Sequence, residues 1–178
     1  MVTSVEVYLA LIGLVACQRL AELRLSRANL RKALARGAVE YGRGHFPVMA
    51  ALHAVFLCSC ALEVVLLDRP FPGAGGWAAL AAFALAQGLR YWAIASLGDR
   101  WNVRVIVVPG EPLVVRGPYR YVRHPNYLAV AVEIATLPLI HGAYLTAVAF
   151  SAMNAALLRV RIRTEEAALG CFARPGRA

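Results

Sequence analysis

The densest chemistry in the chain lies in the thirteen residues from Arg116 to Leu128, reading RGPYRYVRHPNYL. Arginine forks and tyrosine hydroxyls suit anionic and polar ligands, and a tyrosine ring attracts a cation through its quadrupole. Two prolines punctuate the stretch. Gly117-Pro118 fixes one turn, and His124-Pro125 puts a proline where a helix can begin. A helix start there would favour an anion nearby. Further on, RIRTEE brings two carboxylates, Glu165 and Glu166. Any one of these arginines reads most simply as a basic residue meeting lipid phosphates. The whole constellation, with its returning carboxylates, reads as a binding site.

Three further side chains sit where chemistry is conceivable. Glu133 lies inside an apolar stretch, and an acid at membrane depth is a functional candidate by default. Its structural alternative is pairing with Arg90, Gln87 or Asn154. His45 and His53 are eight residues apart, about 80° around a helix, and either would serve as a base for a phenolic substrate. The alternative for each is a hydrogen-bonded packing role. No third ligand stands at zinc spacing, so no metal is expected. Cys17, Cys58, Cys60 and Cys171 form no CxxC pair and read as small buried hydrophobes. Glu40 and Tyr41, before a Gly-Arg-Gly turn, are placed to cover a site as a lid or to form an interfacial loop.

The elements that must position these residues are apolar. Of 178 residues, 60% are hydrophobic, above the usual share for soluble domains, and mean hydropathy is +0.59. An all-α, polytopic integral membrane protein with about five membrane helices is predicted, as one domain over 1–178. Residues 5–97 hold three helices: Val5 to Leu25, Phe46 to Leu67 and Trp77 to Leu97. Ser26 to Gly44 reads as an interfacial amphipathic helix and loop. Trp101 to Tyr119 is rich in β-branched residues around PGEP and reads as a short surface β-hairpin. Asn126 to Ile140 and Ala143 to Val160 then form a helical hairpin, turning at His141-Gly142 and bent by Pro138.

The net charge of +9 fits membrane topology better than nucleic-acid binding, because the arginines cluster at the ends of apolar segments. Sixteen of nineteen basic residues fall in the first connection, the segment after the third helix, or the C-terminal end. Alternating helices put those three regions on one face, expected to be cytoplasmic. The N-terminus is then expected outside and the C-terminus inside. The arginine and alanine bias suggests a GC-rich bacterial genome, and a bacterial inner membrane is the expected location. Membrane lipids are the expected surroundings, and no nucleic-acid partner is expected.

GPYRYVRHPNYL, a helical hairpin and RIRTEEAAL, in this order and spacing, resemble the isoprenylcysteine carboxyl methyltransferase family and its wider relatives, the membrane phospholipid methyltransferases. The resemblance covers roughly residues 97–169. QRLAELRLSRANL, EYGRGHFP and NYLAVAVEI further resemble a bacterial subgroup, some members of which act on alkylpyrones or alkylresorcinols.

The resemblance implies S-adenosyl-L-methionine as methyl donor, bound in a cytosol-facing pocket built from the region 98–169. It also implies a lipid-like acceptor entering from the bilayer. Arg123, His124, Pro125 and Tyr127 match the family's RHPxY element, Gly117, Pro118, Tyr119 and Arg120 its approach, and Glu165 and Glu166 its paired acids.

By their chemistry, Arg120 or Arg123 would pair with the donor's carboxylate, and Glu165 or Glu166 would accept from its ammonium or ribose. Tyr119, Tyr121 or Tyr127 would face the sulfonium or adenine. Arg123, Glu133, His45 and His53 are the candidates for the reacting end. The tail GCFARPGRA is shorter than the family's usual basic and aromatic end, so part of a lid is missing or supplied elsewhere. The rival readings are an NADPH-dependent sterol-type reductase and a non-enzymatic basic membrane scaffold.

Overall fold

The computed structural model describes residues 3–172, the last two as backbone only. The chain is mostly helical, with five helices and two short strands in the order α1 (Ser4–Ala35), β1 (Val39–Tyr41), α2 (His45–Leu66), α3 (Ala74–Leu97), β2 (Val105–Val107), α4 (Pro125–Leu139) and α5 (Tyr144–Phe172). Among the described residues, four helices are long and apolar enough to cross a membrane: α1, α2, α3 and α5. The fifth predicted membrane helix, α4, has 15 residues and is absent from that set. At 1.5 Å per residue it reaches only about 22 Å, short of the bilayer core. It packs inside the bundle, with Ala129, Val130, Ile134 and Leu137 all buried.

Helix α1 starts at a capping box: the Glu6 amide donates to Thr3 Oγ1 at 3.2 Å, and the Thr3 amide donates to Glu6 Oε2 at 2.8 Å. It then runs unbroken for 32 residues, where the sequence suggested a membrane helix followed by a separate interfacial one. The reason is its inner face. Tyr8, Ile12 and Val15 are buried at one end, and Glu22, Ser26, Asn29 and Ala33 at the other, all at helical spacing. The polar half of the stripe looked like a lipid-headgroup face. It is buried against protein instead.

The apolar core lies between Tyr8, Ile12 and Val15 of α1, Phe56 and Val64 of α2, Phe83 of α3, Ile134 and Leu137 of α4, and Phe150 of α5. One end of the bundle gathers the start of α1 and both short reversals. His141 Nε2 lies 3.1 Å from Ser4 Oγ, and Phe71 packs on the His141 ring. Glu63 of α2 reaches the start of α5 there. Its Oε2 accepts from the Thr146 amide at 2.7 Å and the Thr146 hydroxyl, and its Oε1 from the Leu145 amide and from Arg69, both at 3.1 Å. This carboxylate satisfies amides that the first turn of α5 would otherwise leave unpaired.

The opposite end collects the long polar connections. β1 pairs antiparallel with β2, Val39 opposite Val107 and Tyr41 opposite Val105. Strand β2 lies in the β-branched segment that suggested a hairpin, but its partner comes from the first connection and not from beyond PGEP. A buried anchor explains the choice. Asn102 accepts from Ser26 Oγ at 2.8 Å and donates to the Ser26 carbonyl at 3.0 Å, while Asn29 donates to the Trp101 carbonyl at 2.8 Å. These bonds hold the Trp101–Asn102 corner against α1, so β2 emerges beside β1. The PGEP side is drawn away by Arg100, which pairs with Glu111 at 2.9 Å and donates to the Pro112 carbonyl.

The cysteines divide. Cys60 is fully buried, whereas Cys17 and Cys58 are exposed on their helices and not buried as expected; all three are free. The side chain of Cys171 and residues 173–178, on which the expectation of a shortened lid fell, lie outside the described residues.

Candidate active site

The motif begins with a turn that only glycine suits. Gly117 has φ of +60°, and a Cβ there would run into the Ser96 side chain of α3. This contact seats residues 117–120 on α3, and Arg116 donates to the Ser96 carbonyl beside it. Pro118 is buried, and Pro125 is the first residue of α4, as its fixed φ favours. Gly117, Pro118 and Pro125 therefore shape the backbone, and none of them lines either of the two cavities at the polar end.

Two cavities adjoin at the polar end. The first is lined by Leu97, Arg100, Arg104, the three residues of β2, Tyr119, His124, Tyr127, Glu165 and Leu169. The second, about 230 Å³, runs between α1, α2 and α5 and is walled mainly by apolar side chains such as Leu23, Phe46, Met49, Leu57 and Leu157. Trp101, Asn102, Asn126 and Tyr127 line both. We refer to the first as the polar chamber and the second as the apolar chamber.

The polar chamber brings together four of the sequence-predicted residues: Tyr119, His124, Tyr127 and Glu165. Tyr127 donates to Glu165 at 2.5 Å and stacks on the His124 ring at 5.5 Å between centroids. His124 Nε2 lies 3.3 Å from Glu166. Burial, with the Glu165 charge adding, pushes the Tyr119 phenol above its ordinary value, so it remains a protonated donor. Glu166 stands half-exposed at the rim and does not line the chamber.

Arg120 and Arg123 do not take the expected place. Both are exposed and line neither chamber. The turn at Gly117 and the start of α4 point this arginine face outward. The positive charge in the polar chamber comes instead from Arg100 and Arg104, the latter paired with Glu40 at 2.8 Å and set over the Phe46 ring. Glu40 thus braces the chamber from β1.

The apolar chamber holds a charged floor. Arg90 is buried and grips Glu22 with two bonds of 2.8 and 2.6 Å; Arg19 bonds Glu22 at 2.8 Å and Glu133 at 2.6 Å. Gln18 and Gln87 exchange amide hydrogen bonds beside them. Glu133 is thus held by two arginines, with Arg90 the sequence-expected partner and Arg19 the closer one. Neither Gln87 nor Asn154 bonds it. His53 lines the chamber, and His45 does not: its ring lies over Gly42 with Nδ1 buried and unpaired.

Sequence reasoning passed over Arg161, which is 2% exposed and donates to the Val103 carbonyl. Its Nε has no partner, and no carboxylate lies within ion-pair distance among the described residues. Burying such a charge alone is costly, so the site favours an anionic oxygen. Arg159 and Arg163 are exposed, and their likeness in RVRIR hid the buried one. The available signal was spacing: Asn154, Arg161, Glu165 and Ala168 share one face of α5 and are inward or half-buried. Trp101 Nε1, Asn126 Oδ1 and Asn154 Oδ1 are also buried without partners around the chambers. Unmet groups of this kind suit a polar ligand.

The fold is a helical bundle with helices long and apolar enough to cross a membrane, holding a polar and an apolar chamber that share a wall. The isoprenylcysteine carboxyl methyltransferase family profile matches residues 78–170, more than half of the chain, and the chain belongs to that family of membrane methyltransferases. It is 43% identical over 160 residues to the uncharacterized protein YpbQ of Bacillus subtilis (strain 168), covering 89% of this chain and 94% of the relative. It is 27% identical over 152 residues to an uncharacterized protein of Haemophilus influenzae, covering 85% and 88%. No solved structure gives a significant match.

Proposed function

We propose that this chain is an S-adenosyl-L-methionine-dependent O-methyltransferase of a bacterial inner membrane. Its acceptor is lipid-like: a prenylcysteine carboxylate, or a hydroxyl on an alkylated pyrone or resorcinol. The observation that carries the reading is the shared wall of Trp101, Asn102, Asn126 and Tyr127 between the two chambers.

The residues of the polar chamber fit the donor. S-adenosylmethionine, when bound, supplies an electrophilic methyl group on a sulfonium. Glu165 offers a carboxylate to ammonium or ribose hydroxyls, and Arg100 and Arg104 offer charge to a carboxylate. Tyr119 and Tyr127 present aromatic faces suited to a sulfonium, and Leu97, Ile106 and Leu169 supply apolar walls for a base.

The apolar chamber fits the chain of the acceptor. Leu20 lines it while remaining 58% exposed, so its mouth lies on the lipid-facing flank of the bundle. Arg161 lines the same chamber close to Tyr127, 5.7 Å over that ring, and would draw an acceptor oxygen toward the wall. Methyl transfer at carbon asks mainly for alignment and exclusion of water, which a shared, narrow wall provides.

The test is a labelled-methyl assay on purified protein with a prenylcysteine and an alkylpyrone in parallel, alongside binding of S-adenosylhomocysteine and NADPH. Binding of S-adenosylhomocysteine and methylation of one acceptor are expected. Binding of NADPH without S-adenosylhomocysteine would overturn the reading in favour of a reductase.

A further inference from the structure

Resting on the methyltransferase reading, we infer that His53 is the general base of the apolar chamber, and that the acceptor is a weakly acidic ring hydroxyl, a phenol or enol, whose proton His53 removes.

The geometry fixes the tautomer of the neutral imidazole. His53 Nδ1 lies 2.8 Å from the Met49 carbonyl of its own helix. A carbonyl only accepts, so Nδ1 carries the proton and Nε2 holds the lone pair. No hydrogen bond to Nε2 is present among the described residues. His53 borders the apolar chamber and also a small inner cavity that contains Arg19 and Glu133.

The charges around it complete the argument. Arg19 and Glu22 face it from α1, Arg90 from α3 and Glu133 from α4, with Asn154 and Arg161 across the chamber on α5. The two arginines and two glutamates compensate one another through their ion pairs. Glu133, which lines the inner cavity with His53, has a buried Oε1 without a partner. A carboxylate acceptor is ionised at neutral pH and needs no base, whereas a phenol near pKa 10 keeps its proton. A chamber-lining imidazole with a free Nε2 is therefore suited to a hydroxyl and not to a carboxylate. His53, Arg19 and Glu22 also lie outside the family-matched residues 78–170, so they belong to the part of the chamber contributed by this chain's first two helices.

The step balances as follows. The acceptor O–H breaks and its proton passes to His53 Nε2. The oxygen's electron pair forms the new O–CH₃ bond, and the S–CH₃ bond of the sulfonium donor breaks to leave a neutral thioether. Arg161 faces the oxygen as it becomes anionic, and the imidazolium later returns its proton to solvent.

The test compares wild type with His53→Gln in lipid nanodiscs, using a long-chain alkylphenol and a nitro-substituted counterpart that is already ionised at the assay pH. S-adenosylhomocysteine binding by calorimetry is measured on both proteins. The expected result is a fall in kcat of about 100-fold or more for the plain phenol and a fall of less than about fivefold for the ionised one. Cofactor affinity should stay within about twofold. Equal losses on both phenols, no loss on either, or no methylation of any phenol by wild type overturns the inference. A wild type that binds no S-adenosylhomocysteine overturns the methyltransferase reading itself. Should the glutamine variant lose cofactor binding, His53→Asn is measured in its place, with the same two phenols deciding.

Discussion

Glu165 and Arg123 look equivalent in the sequence, each a charged member of a motif. Their surroundings differ. Glu165 lines the polar chamber and accepts from Tyr127, while Arg123 is exposed and lines no chamber. Glu165→Gln should weaken S-adenosylhomocysteine binding by about tenfold or more, because a charged acceptor is lost. Arg120→Ala and Arg123→Ala should change it by less than about threefold. Calorimetry on the three variants checks both statements. Motif spacing showed that His124, Tyr127 and Glu165 belong together. It did not show which arginine points inward, because a turn at Gly117 decides that, and the direction of a turn is set by what it packs on. Arg161 was obscure for the opposite reason: three identical residues in RVRIR differ only by helical phase.

Hydropathy made the helices legible, and the boundaries of α2 and α3 fall close to those read from the sequence. The continuation of α1 did not stand out, because a polar stripe meets water, headgroups or buried polar partners with equal ease. Its partners, Arg90 and the Trp101–Asn102 corner, are distant in sequence. The start of α5 is a similar case, held by a carboxylate from α2. Glu63→Ala should leave the Leu145 and Thr146 amides unmet and Arg69 without its acid. A cost of about 2–3 kcal/mol is expected, read as a clear drop in thermal midpoint in detergent. Thr146→Ala removes only a hydroxyl bond and should cost about 1 kcal/mol.

At the scale of the molecule, one end of the bundle carries the short reversals near Arg69 and His141, and the other carries the arginine-rich connections with both chambers beside them. The positive-inside rule then predicts a cytoplasmic polar chamber. In a bacterial host, a fluorescent protein fused to the C-terminus should be bright, and alkaline phosphatase fused after Arg69 should be active. The reverse pattern would place the polar chamber outside and remove its access to a cytosolic donor. The family-matched residues 78–170 take in α4 and most of α3 and α5, with the connection that lines the polar chamber. Helices α1 and α2 complete the apolar one.

The pairing of Arg19 with Glu22 has a consequence for biogenesis. The two residues are three apart on one helix and bond at 2.8 Å. During synthesis, α1 reaches the translocon before Arg90 and Glu133 exist as part of the chain. A lone glutamate at membrane depth would resist insertion. Arg19 gives Glu22 a counter-charge from its own helix, so the segment can enter lipid as a neutral pair. When α3 and α4 arrive, Arg90 takes hold of Glu22, and Arg19 extends its other nitrogen to Glu133. The first helix thus carries its own partner for its buried acid, and that pair persists in the chamber floor once the bundle closes.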